Sequence, residues 1–277
     1  MNHQEGHFQG LDNLDIYYQV WLPDEAPLAV LLVVHGLAEH SGRYSNVVNH
    51  FVPQGYAIYA LDHRGHGHSQ GRRVYVERFG DYLDDLKTFF DLVRGWQPEA
   101  QIFMLGHSMG GAISLAYALR HQDELAGLIL SGAVVKVGAS VSSATVVAGK
   151  VIAALLPKMG VLALDASAIS RDPEVVAAYD ADPLVYRDKV TARLGAEIAK
   201  TTQTFPHQVP GLRLPVLILH GEADRLADSQ GSRWLYEAAG STDKTLQIYQ
   251  GYYHEIFNEP GRERVLEDVQ TWLAARL

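Results

Sequence analysis

The sequence predicts an α/β fold, with a mostly parallel central sheet flanked by helices and an inserted helical cap. Short apolar runs rich in β-branched residues recur between helix-length amphipathic segments, which is the pattern of a wrapped parallel sheet. One stretch, from about Val135 to Val209, shows no strand-like run and is richer in Ala, Ser and Val. We therefore divide the chain into a core, residues 1–134 and 210–277, and a cap segment, residues 135–209.

The same patterns place the elements of the core in order. Strands are predicted in an N-terminal hairpin over Phe8–Leu22 and at Ala29–His35, Ala57–Asp62, Ile102–Gly106, Leu128–Ser131, Val216–His220 and Thr245–Tyr249. Helices are predicted over Asp81–Trp96, Ala112–Leu119 and Pro260–Leu277, with Pro260 suited to a first helical turn. Two apolar stripes recur at helical spacing: Leu83, Leu86, Phe89, Phe90, Val93 and Trp96, and then Val265, Val269, Trp272 and Leu273. Both helices should bury these stripes on the sheet.

Length and composition exclude several classes of protein. A chain of 277 residues can bury a large core without metals or crosslinks. Its net charge of −9 repels a phosphate backbone, so we predict no nucleic-acid partner. The absence of cysteine excludes disulfides, thiolate nucleophiles and cysteine-ligated metals. No signal peptide is visible at the start, and no stretch reaches the roughly 18 apolar residues of a membrane span, so we expect a cytoplasmic protein.

The segment Gly106-His107-Ser108-Met109-Gly110 is typical of a serine nucleophile. It has the pattern G-x-S-x-G and lies between a predicted strand and a predicted helix, where a sharp turn lifts the hydroxyl above the sheet. Only glycines two residues to either side allow the neighbouring backbone to pass that closely. Ser108 is therefore the predicted nucleophile, and the alternative is a serine in an ordinary glycine-rich turn.

A serine nucleophile needs a base, and the base needs an acid that orients it. In this strand order both follow the nucleophile, the acid first. Asp224 comes after an apolar strand and is the predicted acid, with Glu222 and Asp228 as nearby alternatives. His254 follows the last strand and is the predicted base.

Two backbone amides are expected to stabilise the oxyanion that forms during acyl transfer. One is the amide of Met109, directly after the nucleophile. The other should come from the loop after the strand Ala29–His35, where Leu37 is the best placed residue.

The loop containing His63, His66 and His68 raises the question of a metal site. Histidines at this spacing can chelate, but the next acid downstream is Glu77, so no carboxylate completes a hydrolytic metal set. We predict instead a glycine-rich loop that shapes the floor of the pocket, with no metal and no cofactor.

The cap segment is locally basic on an acidic protein. Between Val134 and Leu164 it carries three lysines, Lys136, Lys150 and Lys158, and no acid. One interpretation is a cap that packs on its own core. The other is an apolar surface that rests on lipid, because flanking basic residues favour an anionic interface.

Longer phrases resemble the monoacylglycerol lipase and lysophospholipase branch of the α/β-hydrolase superfamily, and its bacterial members most of all. They begin with His35-Gly-Leu-Ala-Glu-His-Ser-Gly-Arg-Tyr44, Asp62-His-Arg-Gly-His-Gly-His-Ser69 and Gly106-His-Ser-Met-Gly-Gly111. They continue with Asp182-Pro-Leu184, Asp224-Arg-Leu226 and Tyr253-His-Glu-Ile-Phe-Asn-Glu-Pro260. The resemblance implies an α/β-hydrolase fold and hydrolysis of monoacylglycerol through an acyl-enzyme. It matches Ser108, Asp224 and His254 to the triad.

The resemblance also implies positions for substrate contacts and a cap that touches membranes to collect its lipid ester. The contacts at the glycerol end fall on Glu39, Arg43, His107 and Tyr179. Glu39 and Arg43 are alternatively an ion pair that only stiffens their loop, and Tyr179 alternatively anchors the cap by its ring.

The chain departs from the mammalian members near the glycerol end. Phe257 stands where they have a histidine, and they carry cysteines around the pocket, with Ala227 at one matching position. Lysophospholipase or broad carboxylesterase activity therefore remains an alternative, and a non-catalytic binding protein is a more remote one. The sequence does not indicate an oligomeric state.

Overall fold

The computed structural model describes residues 1–136 and 152–277, and its centre is an eight-stranded sheet. The strands of this sheet are β1 (Asn2–Gln9), β2 (Asp15–Leu22), β3 (Ala29–Val34), β4 (Tyr56–Leu61), β5 (Ile102–His107), β6 (Gly127–Ser131), β9 (Val216–Gly221) and β10 (Lys244–Tyr249). Their spatial order is β1-β2-β4-β3-β5-β6-β9-β10. Pairing is antiparallel from β1 through β2 to β4 and parallel from β4 to β10. The predicted mostly parallel sheet is confirmed.

Helices cover both faces of this sheet, which explains why its central strands are buried at every position and mostly apolar. In β3, Val30, Leu32 and Val34 join a core cluster with helices Gly80–Trp96, Met109–His121 and Ser229–Ala238. The alternate residues, Ala29, Leu31 and Val33, join a second cluster with helices Ser45–Phe51 and Arg262–Ala274. The carboxyl ends of the parallel strands therefore share one edge of the sheet, where ligands bind in open α/β sheets.

Three details of the sequence prediction are wrong. The hairpin begins at Asn2 rather than Phe8, because β1 is an edge strand with mostly exposed polar residues and lacks an apolar run. Trp96 ends its helix 43% exposed instead of buried. Pro260 precedes the last helix, since Gly261 adopts a left-handed φ of 88° and the helix starts at Arg262.

The cap segment contains paired strands that the sequence analysis did not predict. Its strand β7 (Gly160–Leu162) pairs antiparallel with β8 (Val190–Thr191). All three residues of β7 are exposed, so no buried apolar run marks this strand. The described helices of the segment include Pro173–Ala181, Ala192–Thr202 and Phe205–Gln208. Residues 137–151, with the predicted cap residue Lys150, lie outside the described part of the chain. Across residues 1–136 and 152–277, no helix has the length and apolarity needed to cross a bilayer.

Candidate active site

Ser108 occupies a strained turn between β5 and the helix that follows it. Its φ of 54° and ψ of −118° are rare for a residue with a side chain. A Cβ atom at Gly106 would lie 2.4 Å from Ser114 Oγ, and one at Gly110 would lie 2.1 Å from the carbonyl oxygen of Val34. The two glycines of the G-x-S-x-G pattern are therefore required by close packing, as the sequence predicts.

Asp224 and His254 form a direct pair. His254 Nδ1 lies 2.7 Å from Asp224 Oδ2, and the other carboxylate oxygen accepts the backbone N–H groups of Leu226 at 2.8 Å and Ala227 at 2.9 Å. Burial favours the protonated acid, but interactions with His254 and His220 outweigh it and hold the pKa of Asp224 well below its usual range. Asp224 is therefore ionised at neutral pH and holds the proton of His254 on Nδ1.

The two alternative acids lie in other environments. Glu222 is exposed to solvent. The side chain of Asp228 accepts the backbone N–H of Gln230 at 2.9 Å and caps the helix Ser229–Ala238. Of the three carboxylates considered, Asp224 is the one that pairs with His254.

The surroundings of His254 favour its protonated form. Burial lowers the pKa of His254, but the carboxylates of Asp224, Glu255 and Glu39 outweigh burial and raise it. Gly132, at the end of β6, allows the ring to fit: its φ is 54°, and a Cβ atom there would lie 3.2 Å from His254 Nδ1. The sequence analysis missed Gly132, since a single glycine after a strand does not reveal what packs against it.

Ser108 and His254 both line a cavity of about 600 Å³. The described residues show no hydrogen bond between the Ser108 hydroxyl and His254, whose Nδ1 bonds to Asp224. Leu37 and Met109 line the same cavity, and a Cβ atom at Gly36 would lie 3.2 Å from Ser108 Cβ. The loop predicted to provide the second oxyanion amide thus lies beside the predicted nucleophile.

The polar end of the cavity is built around Glu39. One of its oxygens accepts the backbone N–H of Gly36 at 2.6 Å and the hydroxyl of Tyr44 at 2.9 Å. Its other oxygen accepts Arg43 at 3.1 Å. Arg43 also binds Glu255 through two hydrogen bonds, of 2.5 and 2.8 Å. Glu39 and Arg43 therefore form the ion pair that the alternative interpretation expects, and Glu39 lines the cavity as well.

The remaining predicted contact residues divide between the cavity and the structure behind it. Tyr179 and His107 line the cavity, whereas Arg43 lines a smaller adjoining space and stacks on the Tyr179 ring at 4.6 Å. Burial and the nearby His254 lower the pKa of His107 to about 4. Because the Nδ1 of this neutral ring donates to the Ser131 carbonyl at 3.0 Å, its Nε2 is left as an acceptor.

Glu255 is a cavity residue that the sequence analysis missed. It is buried, and the Arg43 guanidinium outweighs the effect of burial and lowers its pKa. Its position directly after His254 is a signal that was available in the sequence, but its partner is 212 residues away along the chain. Phe257, at the departure from the mammalian pattern, is buried and lines the smaller space.

The histidine-rich loop after β4 is not the floor of this cavity, so that prediction is wrong. His63 and His66 are buried and pack with His35, at ring-centroid distances of 4.4 and 5.4 Å from it. His35 Nε2 accepts the backbone N–H of His63, so the loop is hydrogen-bonded to the residue that directly follows β3. Burial lowers the pKa of His35 to about 4 and of His66 to about 3. Over the described ranges, no cluster of three or more His, Asp or Glu side chains is arranged to hold a metal ion.

Comparison with known proteins agrees with this geometry. The chain matches the family model described as serine aminopeptidase, S33, over residues 25–261. It is 42% identical to a monoacylglycerol lipase of Mycolicibacterium smegmatis, over 99% of this chain and 98% of that protein. It is 35% identical to the monoglyceride lipase of Mus musculus, over 98% of this chain and 90% of that protein.

Structural comparison gives the same assignment. The crystal structure of a Paleococcus ferrophilus monoacylglycerol lipase superimposes with a TM-score of 0.85 and 29% identity, covering 95% of this chain and 99% of that one. The resemblance predicted from the sequence phrases is thereby confirmed. The chain belongs to the serine aminopeptidase S33 family of α/β-hydrolases, within its monoacylglycerol lipase branch.

Proposed function

We propose that this chain is a serine hydrolase that cleaves monoacylglycerol to a free fatty acid and glycerol. The observation that carries the proposal is a single cavity that is lined by the predicted nucleophile, by a set of apolar side chains and by a cluster of polar groups. Apolar side chains that suit an acyl chain are Leu162, Leu164, Ile169, Val190 and Ile198. Polar groups that suit a small alcohol are Glu39, His107, Tyr179 and Glu255.

The reaction follows from the Asp224–His254 pair. His254 Nε2 accepts the proton of the Ser108 hydroxyl as the oxygen attacks the ester carbonyl, and ionised Asp224 stabilises the imidazolium that forms. The backbone amides of Leu37 and Met109 stabilise the oxyanion. Glycerol leaves with the proton from His254, and an acyl-enzyme remains. Water then gives a proton to the same histidine and attacks the acyl group. The bond between the acyl group and Ser108 Oγ breaks, His254 returns the proton to Oγ, and the fatty acid is released.

The cap segment supplies much of the apolar wall. We propose that residues 135–209 form a cap over the core. Nine cavity side chains are named above, and five of them support this proposal, because they lie between residues 160 and 180 or on the helix Ala192–Thr202. On this proposal the cap holds the acyl chain, and the core holds the reacting groups and most of the polar end.

A hydrolysis panel tests the proposed substrate class. We expect kcat/KM to be highest for monoacylglycerols and lower for di- and triacylglycerols, lysophospholipids and short aryl esters, because the polar end accepts a small uncharged alcohol. The chain length of the acyl group is held constant across the lipids. If lysophospholipids rank first, the alternative is correct; equal rates on all head groups indicate a broad carboxylesterase.

We also propose that the cap contacts a membrane surface from which the lipid is collected. Five large apolar side chains of the cap are exposed: Leu155 (74%), Leu156 (57%), Met159 (41%), Val161 (46%) and Leu162 (56%). Leu162 also lines the cavity, so this apolar surface borders the acyl site. Lys158 lies beside it in a basic groove with Arg72, Arg73 and Lys189. Apolar side chains flanked by cations suit an anionic interface.

Vesicle binding tests this contact. Neutralising Lys136, Lys150 and Lys158 together by substitution with glutamine should weaken binding to vesicles of anionic phospholipid by about 100-fold, since each cation near such a surface contributes about 1 kcal/mol. Sedimentation with vesicles measures this, and zwitterionic vesicles should show a much smaller difference.

A matched control removes three exposed cations of the core, by glutamine substitution of Arg120, Arg213 and Arg233. This variant has the same net charge as the lysine variant and should bind anionic vesicles about as well as the wild type. Equal weakening in both variants, or no binding by the wild type, contradicts the proposed contact. A soluble short-chain ester should be hydrolysed normally by the core variant. The same ester measures any direct effect of the lysine variant on catalysis, because Lys136 lines the cavity.

A further inference from the structure

His220 contacts the same carboxylate oxygen as His254, although it lies outside the proposed triad. It is fully buried near the end of strand β9, four residues before Asp224. Its Nε2 lies 3.0 Å from Asp224 Oδ2, the atom that pairs with His254 Nδ1 at 2.7 Å. Two imidazoles therefore converge on one oxygen.

The partners of His220 define which of its nitrogens carries the proton. Nε2 faces two acceptors, Asp224 Oδ2 and the Ala227 carbonyl oxygen at 3.1 Å, so Nε2 must be the donor. Nδ1 lies 2.7 Å from Ser232 Oγ, whose hydroxyl donates to it. Ser232 is itself fully buried on the helix Ser229–Ala238. A neutral ring with its proton on Nε2 satisfies every one of these contacts.

Asp224 thereby accepts three hydrogen bonds of its own and shares a fourth, the Nε2–H of His220, with the Ala227 carbonyl oxygen. The backbone amides of Leu226 and Ala227 bind Oδ1, and the two histidines bind Oδ2. The two backbone amides belong to the turn that contains Asp224, whereas His220 lies on β9, the strand that leads into this turn. The bond from His220 restrains rotation of the carboxylate plane and withdraws electron density from the oxygen that faces His254.

We propose that His220, oriented by Ser232, is a positioning residue for the catalytic acid. It holds the plane of Asp224 toward His254 and moderates the basicity of Oδ2, so that the His254 proton stays on Nδ1. This inference rests on the proposed serine hydrolase function and adds a fourth side chain, with Ser232 behind it, to the predicted triad. Because His220 does not line the cavity, it acts on turnover and not on substrate binding.

Kinetics of two substitutions test the proposal. His220→Leu removes the donor, and we expect kcat to fall about tenfold with KM unchanged. The pH midpoint of kcat/KM should rise by roughly half a unit, because a more basic carboxylate binds the His254 proton more tightly. His220→Gln can donate to Asp224 and accept from Ser232, so it should restore most of kcat and the wild-type midpoint. An unchanged kcat and midpoint in His220→Leu would overturn the proposal.

The measurements use a short aryl ester and the rate at which a fluorophosphonate labels Ser108. Neither depends on the alcohol that the enzyme recognises, so failure on monoacylglycerol is distinguished from failure of the His220 proposal. A wild type that is not labelled at Ser108 contradicts the proposed function itself.

Nuclear magnetic resonance of the wild-type protein gives a test that requires no variant to fold. The long-range ¹⁵N–¹H pattern of His220 should show the proton on Nε2. A wild-type His220 with its proton on Nδ1 alone would contradict the inference.

Discussion

Replacing Ser108 by alanine is expected to lower kcat for ester hydrolysis by about 10⁶-fold, the loss typical when a serine nucleophile is removed. The cause is chemical, because the remaining cavity still binds the ester but has no hydroxyl to form the acyl-enzyme. Alanine tolerates the unusual backbone of the turn no worse than serine does, so the melting temperature should change little. Initial rates on a monoacylglycerol measure the effect.

Chemical labelling separates this result from a general loss of structure. A fluorophosphonate should form one adduct, on Ser108, in the wild type and none in the variant. A chelator should leave wild-type activity unchanged, whereas a metal hydrolase would lose activity with the chelator and survive Ser108→Ala. An adduct on another residue, or an active Ser108→Ala variant, refutes the assigned nucleophile.

Changing Asp224 to asparagine is expected to lower kcat by about 10⁴-fold. The amide preserves the shape of the side chain. Because the backbone amides of Leu226 and Ala227 require an oxygen at the Oδ1 position, the N–H group of the amide faces the two histidines at the Oδ2 position. His254 then no longer has a carboxylate to hold its proton on Nδ1, and its Nε2 is not available as a base. The pKa of His254 should fall, because the first of the carboxylates that raise it is removed.

The alternative acids provide the controls. Glu222→Gln alters an exposed side chain, and Asp228→Asn alters a helix cap that asparagine also forms well, so both variants should keep kcat within about twofold of the wild type. Steady-state kinetics at a fixed pH compare the three. Collapse of either control together with near-normal turnover of Asp224→Asn would mean that the acid is misassigned.

The sequence predicted features that depend on local pattern. The elbow at Ser108 is readable because its glycines, strand and helix are adjacent in the chain. The order of acid and histidine follows from the buried parallel strands, which are apolar on both faces and therefore conspicuous. Strand β7 was not predicted, because its exposed residues carry no periodic apolar signal.

The sequence analysis could not predict the role of a residue when that role depends on a partner from another element of the fold. His220 lies only four residues before Asp224, but nothing in that spacing indicates a contact, and its second partner, Ser232, meets it only through the packing of β9 against the next helix. Gly132 packs against the ring of His254, which lies 122 residues later in the chain, and a side chain at this position would contact that ring. Arg43 was predicted as a substrate contact, but the structure places it behind Glu39 and Glu255.

Arg43 joins three residues from different parts of the chain that line the cavity. It binds Glu39, whose other oxygen holds the Gly36 amide, it binds Glu255 next to His254, and it stacks on Tyr179 of the cap segment. On the proposed function, substitutions here that change which alcohol is accepted are therefore expected to change the rate of acylation as well. We expect that engineering a new leaving-group preference requires compensating changes around the Arg43 guanidinium.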